Sequence, residues 1–496
     1  MGALGEIYGT SLALLTDLYE LTMAYGYWKS GTWTKEAVFH HHFRKPPFGS
    51  GFTLACGLEP AIELIESFRF SADDLGYLAG LQGNDGSPLF EPAFLDFLRK
   101  MELECDIDAI PEGTVVFAQE PLVRVRGPII QSQILETALL NLINFQTLIA
   151  TKAARVCLAA QGEPVLEFGL RRAQGIDGGL SAARAAYAGG CAATSNVLAG
   201  KLFDIPVKGT HAHSWVLSFD TEREAFEAYA RAMPNNCVFL VDTYDSLEGV
   251  RQAAQAGRWL RERGHEMAGI RLDSGDLAYL SIEARKILDE AGFPQAQILA
   301  SSELDEHLIE SLKLQGARIA VWGVGTRLAT AWEDPALGGV YKLTAVREDG
   351  GPWKYKVKLS EQIAKITTPG IQQVRRFTSG GEFVADMIFD EEMGAPAAPT
   401  IVDPKDMTRR KEIPWGTAHH DLLVPVFRKG RRVYDPPPLS EVRRRAQEQL
   451  AGFHPGVKRF VNPHQYPVGL ELGLFDLKTR LILEARGLAH QEKVAP

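Results

Sequence analysis

The sequence predicts an α/β fold, in which a parallel sheet closes into a barrel beside a discontinuous α+β domain built from both ends of the chain. Three observations carry that expectation. Between residue 165 and about 334, six apolar runs alternate with helical patterns, as strands and helices do in parallel sheets. Polar groups stand just past the ends of those runs, where an α/β scaffold puts its chemistry. On either side, from 36 to 127 and again after Gly339, strand-like patterning dominates.

The chain has 496 residues, too many for one ordinary domain, so about two or three are expected. Its 45% hydrophobic and 23% charged content is that of a soluble globular protein. A formal net charge of −9 disfavours nucleic acid as a partner. Any anionic substrate therefore needs a local basic pocket inside an acidic protein. Cys56, Cys105, Cys157, Cys191 and Cys237 are scattered without a C-x-x-C pair. That argues against a structural zinc site or a disulfide framework and fits a reducing compartment. No basic stretch followed by an apolar core opens the sequence, and no apolar run reaches about 18 residues. The expectation is a cytoplasmic protein with no membrane partner.

Taken in order, residues 13–28 (ALLTDLYELTMAYGYW) read as a helix start that Thr16 or Asp17 caps, with Leu18, Leu21, Thr22 and Tyr25 on one face. EAVFHHHFR (36–44) alternates as a strand. Alternation sends His41 to the face opposite His40 and His42, so one face offers too few ligands and no metal is expected there. PEGTVVFAQEPLVRVRG (111–127) gives β-rich runs around Glu120 and Pro121. The helical stretch over about 131–160 is too densely apolar for a single buried stripe.

The six alternating runs are VLEFG (165–169), IPVKG (205–209), CVFLVD (237–242), AGIRLD (268–273), AQILAS (296–301) and RIAVWGV (318–324). A Gly-rich turn, Gly175 to Gly179, follows the first. Helices are expected over 181–201, 221–233, 245–263, 277–291 and 303–316. An eight-fold barrel would need strands from elsewhere. Strands return at 340–346, 353–359 and 382–389, and GAPAAPT (394–400) reads as a loop. Residues 422–434 resemble a hairpin around Lys429-Gly430, and PPPLSEVRRRAQEQL gives a Pro-started helix. The expected domains are 1–130 completed by about 340–435, an active-site barrel over 131–339, and a helical extension over 436–496.

Five of the six runs lead directly into residues suited to anion or sugar recognition. Arg171 follows the first, Thr210 and His213 the second, and Asp242 and Asp245 the third. Asp273, Ser274, Gly275 and Asp276 follow the fourth, and Gly323, Gly325 and Thr326 the last. In a parallel barrel such clustering marks a site on the C-terminal face. Glycines at 323 and 325 let backbone N–H groups approach a phosphate at a helix start. Arg171 and Arg271 can each grip a carboxylate or phosphate through two parallel hydrogen bonds. Asp273 and Asp276 suit Mg²⁺ or ribose hydroxyls, while Asp273 or Ser274 could equally cap a helix. His213 is open to three readings: general base, metal ligand, or nucleophile toward phosphate. With His211 alone beside it, no third zinc ligand is evident.

EFGLRR, TSNVLAGK and GTHAHSW resemble the nicotinate phosphoribosyltransferase family of type II phosphoribosyltransferases, as do LTDLYELTMAYGYW (15–28), INFQTLIATKAAR (143–155), RLDSGDL (271–277) and GVGT (323–326). The resemblance thins after about Arg375. It implies an irregular α/β barrel and a homodimer with shared active sites. It also implies synthesis of nicotinate mononucleotide and diphosphate from nicotinate and phosphoribosyl diphosphate, with Mg²⁺ and with ATP as co-substrate, on the route to NAD.

The resemblance assigns nicotinate to Phe168, Arg171, Ser195, Thr210 and Arg271, with Arg271 on the carboxylate and Tyr19 of a partner subunit stacking opposite Phe168. It gives the phosphoribosyl and phosphate groups to Asp276, Gly323, Gly325 and Thr326, a catalytic place to Asp273, and the γ-phosphoryl of ATP to His213. Ser195 stands where the related nicotinamide enzyme carries an acid. A hydroxyl can donate to a carboxylate that an acid would repel, which favours nicotinate over nicotinamide. Quinolinate as the base, and a silent ligand-binding relative, are the remaining rivals.

Overall fold

The computed structural model describes residues 3–348 and 350–488, and the chain divides into two compact units. The first comprises Leu148–Pro335 with Leu439–Arg444, and the second Met1–Thr147, Ala336–Pro438 and Arg445–Pro496.

Six parallel strands form the sheet of the first unit: β1 (Val165–Glu167), β2 (Ala193–Thr194), β3 (Val238–Leu240), β4 (Gly269–Leu272), β5 (Gln297–Ala300) and β6 (Val321–Val324). Their spatial order is β2-β1-β6-β5-β4-β3. The predicted strand IPVKG is not one of them. It makes a single bridge, Val207 to Thr194, and the two-residue β2 holds the edge position instead. Pro206, lacking an N–H, can only accept, from the Thr194 amide at 3.0 Å. Among the described residues the sheet does not close by backbone pairing, so the α/β architecture expected is present while the closure of the irregular barrel is not. A side chain spans the gap: the Leu240 amide on β3 donates to Nε2 of His211 at 3.2 Å.

Register sets the inner face. Leu240 pairs with Arg271, Arg271 with Leu299, and Leu299 with Val321, so these four form one row across the sheet. Leu166, Ala193, Leu299 and Val321 pack as a buried cluster, with Phe168 against it. Arg271 is thus a cation in a row that is otherwise aliphatic. Phe239, one residue before Leu240, points the other way and packs on Phe226 of the helix Glu222–Ala232.

The intervening helices start where a short polar side chain accepts a backbone N–H. Asn196, Thr221, Asp245, Asp276 and Asp305 cap the helices that begin at residues 197, 222, 246, 277 and 306. The cap after β4 is therefore Asp276, not Asp273 or Ser274. The Gly-rich segment predicted as a turn is the first part of the helix Gly175–Ala188.

In the second unit a seven-stranded sheet contains Glu36–Phe43 between Gly339–Arg347 and Val123–Pro128, all antiparallel. A six-stranded sheet includes Gln372–Ser379, Glu382–Asp390 and Val468–Glu471. The last of these strands joins the stretch expected as a helical extension to this sheet, between the helices Leu439–Ala451 and Leu472–Ala485. The hairpin Val424–Arg428 to Arg431–Arg432 turns at Lys429 and Gly430, both with positive φ. Histidines 40 and 41 are buried on opposite sides of their strand, where His40 meets Thr344 and His41 meets Asn144. The helix Leu18–Lys29 buries Glu20, Leu21 and Ala24, while Leu18 is exposed, so its buried face is rotated from the predicted one. The stretch Ile129–Ala160, long and apolar enough by composition to cross a membrane, is largely buried in the fold.

Candidate active site

Two adjoining cavities open on the C-terminal side of the first unit's sheet. One, of about 300 Å³, is lined by residues at or just beyond the ends of β1 to β4, among them Phe168, Arg171, Ser195, Thr210, His213, Arg271 and Asp273. The other, of about 230 Å³, shares Phe168, Arg171, Arg271 and Asp273 and adds Ser301, Ser302, Glu303, Gly323, Gly325 and Thr326. The strand-end clustering read from the sequence is therefore a spatial site.

Arg271 is its organising side chain. Its Nε donates to Ser301 Oγ at 2.7 Å, Nη1 to Thr210 Oγ1 at 3.0 Å, and Nη2 to Asp273 Oδ1 at 2.8 Å. The guanidinium carbon lies 5.6 Å from the centre of the Phe168 ring. One N–H on each terminal nitrogen remains for a ligand. Burial would raise the Asp273 carboxyl, but the Ser301 hydroxyl and the Arg271 charge outweigh it and hold the group below its ordinary value. Arg171 borders both cavities and makes no ion pair among the described residues.

Phe168 explains one glycine. A Cβ built on Gly323 would come within 2.8 Å of the Phe168 ring and 3.3 Å of Ser301. The missing side chain at 323 makes room for an aromatic wall, a demand for glycine separate from the backbone approach to a phosphate expected from the sequence. Beneath Phe168, the buried Glu167 accepts from Thr194 Oγ1 at 2.6 Å and from the Gly169 amide. Burial pushes this carboxyl up, against those bonds. Glu167 thus ties β1 to β2 directly below Ser195.

His213 begins the short helix His213–Leu217 and has a side chain 40% exposed. Nδ1 is 3.2 Å from Thr243 Oγ1. Nε2 faces two carboxylates, Asp242 Oδ1 at 3.9 Å and Asp273 Oδ2 at 3.8 Å. Asp242 Oδ2 accepts from the Asp273 amide and from Ser274 Oγ, while its buried Oδ1 has no hydrogen-bond partner. His211 does not pair with His213. It bridges to β3, stands edge-on to Tyr229, and burial lowers its pKa to about 4.

The site gathers most of the residues singled out from the sequence, but not all. Asp276 accepts from the Tyr279 amide as a helix cap and lines neither cavity. Asp242 is the acid that Asp273 shares His213 with. Tyr19 belongs to the other unit, is 45% exposed, and is not among the lining residues. Ser301, Ser302 and Glu303 were missed. They follow β5, the run left out of the strand-end rule, and its polar SSE ending was the available signal. Glu167 was also missed, although an acid inside an apolar strand is itself a signal.

Residues 14–144 match the N-terminal domain of nicotinate phosphoribosyltransferase (NAPRTase), and residues 371–478 its C-terminal domain. The nicotinate phosphoribosyltransferase of Bacillus subtilis is 43% identical over 489 residues, 97% of either chain. That of Homo sapiens is 35% identical over 530 residues, covering 94% of this chain and 96% of its own. The crystal structure of human nicotinic acid phosphoribosyltransferase has a TM-score of 0.81 at 33% identity, covering 94% of this chain and 99% of that one. Nicotinate-nucleotide pyrophosphorylase from Pyrococcus furiosus, at TM-score 0.68 and 22% identity over 89% of this chain and 96% of its own, shares the fold.

Proposed function

The chain belongs to the nicotinate phosphoribosyltransferase family, and from that premise we propose that it forms nicotinate mononucleotide and diphosphate from nicotinate and phosphoribosyl diphosphate, with ATP hydrolysis coupled through His213. The observation that carries this reading is Arg271, fixed by Thr210, Ser301 and Asp273 beside the Phe168 ring with two N–H groups to spare. A pyridine carboxylate needs such a pairing of a flat apolar wall and a planar cation.

The lone pair of the pyridine nitrogen attacks the anomeric carbon while the bond to diphosphate breaks and its electron pair leaves with the diphosphate. That nitrogen carries no proton, so the chain need not supply a base; its contribution is position and charge. Arg271 holds the carboxylate, Ser195 offers it a hydroxyl, Thr210 donates to His211 O and so lines the nicotinate site by bracing Arg271 Nη1, and Phe168 stacks on the ring. Tyr19 of the partner subunit covers the opposite face in a homodimer. Arg171 and the turn Gly323–Thr326 receive phosphate groups.

With Nδ1 donating to Thr243, Nε2 of His213 keeps its lone pair. It attacks the γ-phosphorus of ATP, ADP departs, and water later attacks that phosphorus, breaking the N–P bond to release inorganic phosphate and return the histidine. Phosphohistidine brings about two negative charges beside Asp242 and Asp273. The lone Asp242 Oδ1 and the acidic donor set fit Mg²⁺, which favours a few carboxylates plus substrate phosphates. Asp242 and Asp273 would hold it, and it would neutralise the departing diphosphate. The setting is NAD synthesis from nicotinate in the cytoplasm.

The test uses ATP carrying radioactive phosphorus at the γ-position, with wild type and His213→Ala compared. An acid-labile, alkali-stable label on wild type alone, discharged by the two substrates, is expected. Mononucleotide synthesis without any label would remove the coupling role of His213 and leave the transferase reading standing.

A further inference from the structure

Ser302 has a φ of +129°, beyond the left-handed helical range and in territory that residues with a Cβ rarely enter. Its neighbours show what holds it there. The Ser301 amide donates to Leu272 O on β4 at 2.9 Å, and Ser302 O accepts from the Leu304 amide at 2.9 Å. Beyond it, Asp305 caps the next helix and pairs with Arg327. The chain leaves the interior after Ser301, crosses the cavity wall at Ser302 and Glu303, and returns to it at Leu304.

That kink sends the two flanking side chains to different tasks. Ser301 Oγ accepts from Arg271 Nε and donates to Asp273 Oδ1, standing between the cation and its carboxylate. Glu303 Oε1 accepts from Thr326 Oγ1 at 3.2 Å, on the glycine turn of the second cavity. A backbone at 302 in the ordinary negative-φ range would rotate one of these side chains away from its partner.

We propose that the Ser301–Ser302 step is a positioning element, in which the strained backbone of Ser302 keeps the Ser301 hydroxyl wedged between Arg271 and Asp273 and so aims the guanidinium at the substrate carboxylate. This rests on the reading that Arg271 binds nicotinate. Neither serine reacts, and the strain is stability given up for aim.

The test compares Ser302→Gly, Ser302→Ala and Ser301→Ala in the full chain. Glycine takes this φ without strain but also leaves the step free to adopt others, so Ser302→Gly should raise Tm by about 2 °C and, by loosening the Ser301 hydroxyl, weaken nicotinate binding by about fivefold to tenfold in calorimetry. The loss should fall on KM for nicotinate, with kcat changed less than about twofold. Alanine must still adopt the strained φ, so Ser302→Ala should lose less than Ser302→Gly. Ser301→Ala, which removes the wedge itself, should lose at least as much.

Unchanged nicotinate binding in Ser302→Gly, or a lower Tm, overturns the proposal. So does an equal or larger loss in Ser302→Ala, which would assign the effect to the hydroxyl. A wild type that binds nicotinate without turnover defeats only the proposed reaction, because the binding comparison still stands. A wild type that does not bind nicotinate defeats both.

Discussion

Replacing Arg271 by alanine is the sharpest test of the site. The side chain is 15% exposed and makes three hydrogen bonds, one of them to a carboxylate. Truncating one partner of a buried, hydrogen-bonded charge pair costs about 2–5 kcal/mol. At about 1.36 kcal/mol per tenfold, kcat/KM for nicotinate should fall by roughly 30-fold to 5,000-fold. Steady-state mononucleotide formation measures it, with nicotinamide as a second substrate. An amide has no carboxylate to lose, so the preference for nicotinate should shrink as well. Stability should change with a definite sign. The Asp273 carboxyl is held below its ordinary value of about 3.9, a contribution present above that pH and lost as pH falls through the folded value. Without Arg271 it shrinks, so wild type and variant should differ most at neutral pH and converge in acid. A kcat/KM for nicotinate within about threefold of wild type would refute the assignment of Arg271 to the carboxylate.

Two further outcomes follow from the geometry. Gly323→Ala puts a methyl group 2.8 Å from the Phe168 ring; overpacking of this kind costs about 1–3 kcal/mol, read in denaturant, together with a raised KM for nicotinate. An unchanged KM would mean that Phe168 does not form the ring-binding wall. Burial keeps His40, His41 and His211 neutral, the last two with pKa values near 4. As pH falls below about 6.5 the unfolded chain takes up protons that the folded chain refuses, so stability should drop between about pH 6.5 and 4. His211→Phe should remove about 1.4 kcal/mol of the difference between pH 7.5 and 5.5 in chemical denaturation; an undiminished pH dependence would mean that His211 takes up a proton in the fold.

The legible parts of the sequence were those where local pattern and global fold agree. Long helices between strands were readable because apolar period and cap chemistry coincide, as at Asp245 and Thr221. The edge strand Ala193–Thr194 was not, since two residues carry no period. IPVKG looked more like a strand than its neighbour, yet pairing is decided by which backbone groups the sheet can reach. The strand Asp406–Glu412 escaped notice because it is exposed on both faces and lacks alternation. At the site, residue types were readable but their division of labour was not. Asp273 and Asp276 look equivalent in DSGD, and only the backbone shows that the second is consumed as a cap while the first meets Arg271. The other demand on Gly323, space for the Phe168 ring, was not legible because that ring lies far away in sequence.

The Arg271–Asp273 pair bears on how an acid is chosen over an amide. Because Asp273 already balances the guanidinium, an arriving carboxylate meets a neutral pair and not a bare cation. Attraction then comes from the two N–H groups Arg271 still offers, the Ser195 hydroxyl and the field of the unpaired Arg171, while Asp273 supplies aim at the expense of affinity. Asp273→Asn separates the two roles, since the amide oxygen can still accept from Ser301 and Arg271 but the charge is gone. Nicotinate should bind several-fold tighter, while kcat falls because the carboxylate 3.8 Å from His213 Nε2 is lost. If nicotinate instead binds more weakly, Asp273 acts by holding Arg271 in place, and selectivity for the acid rests on geometry alone.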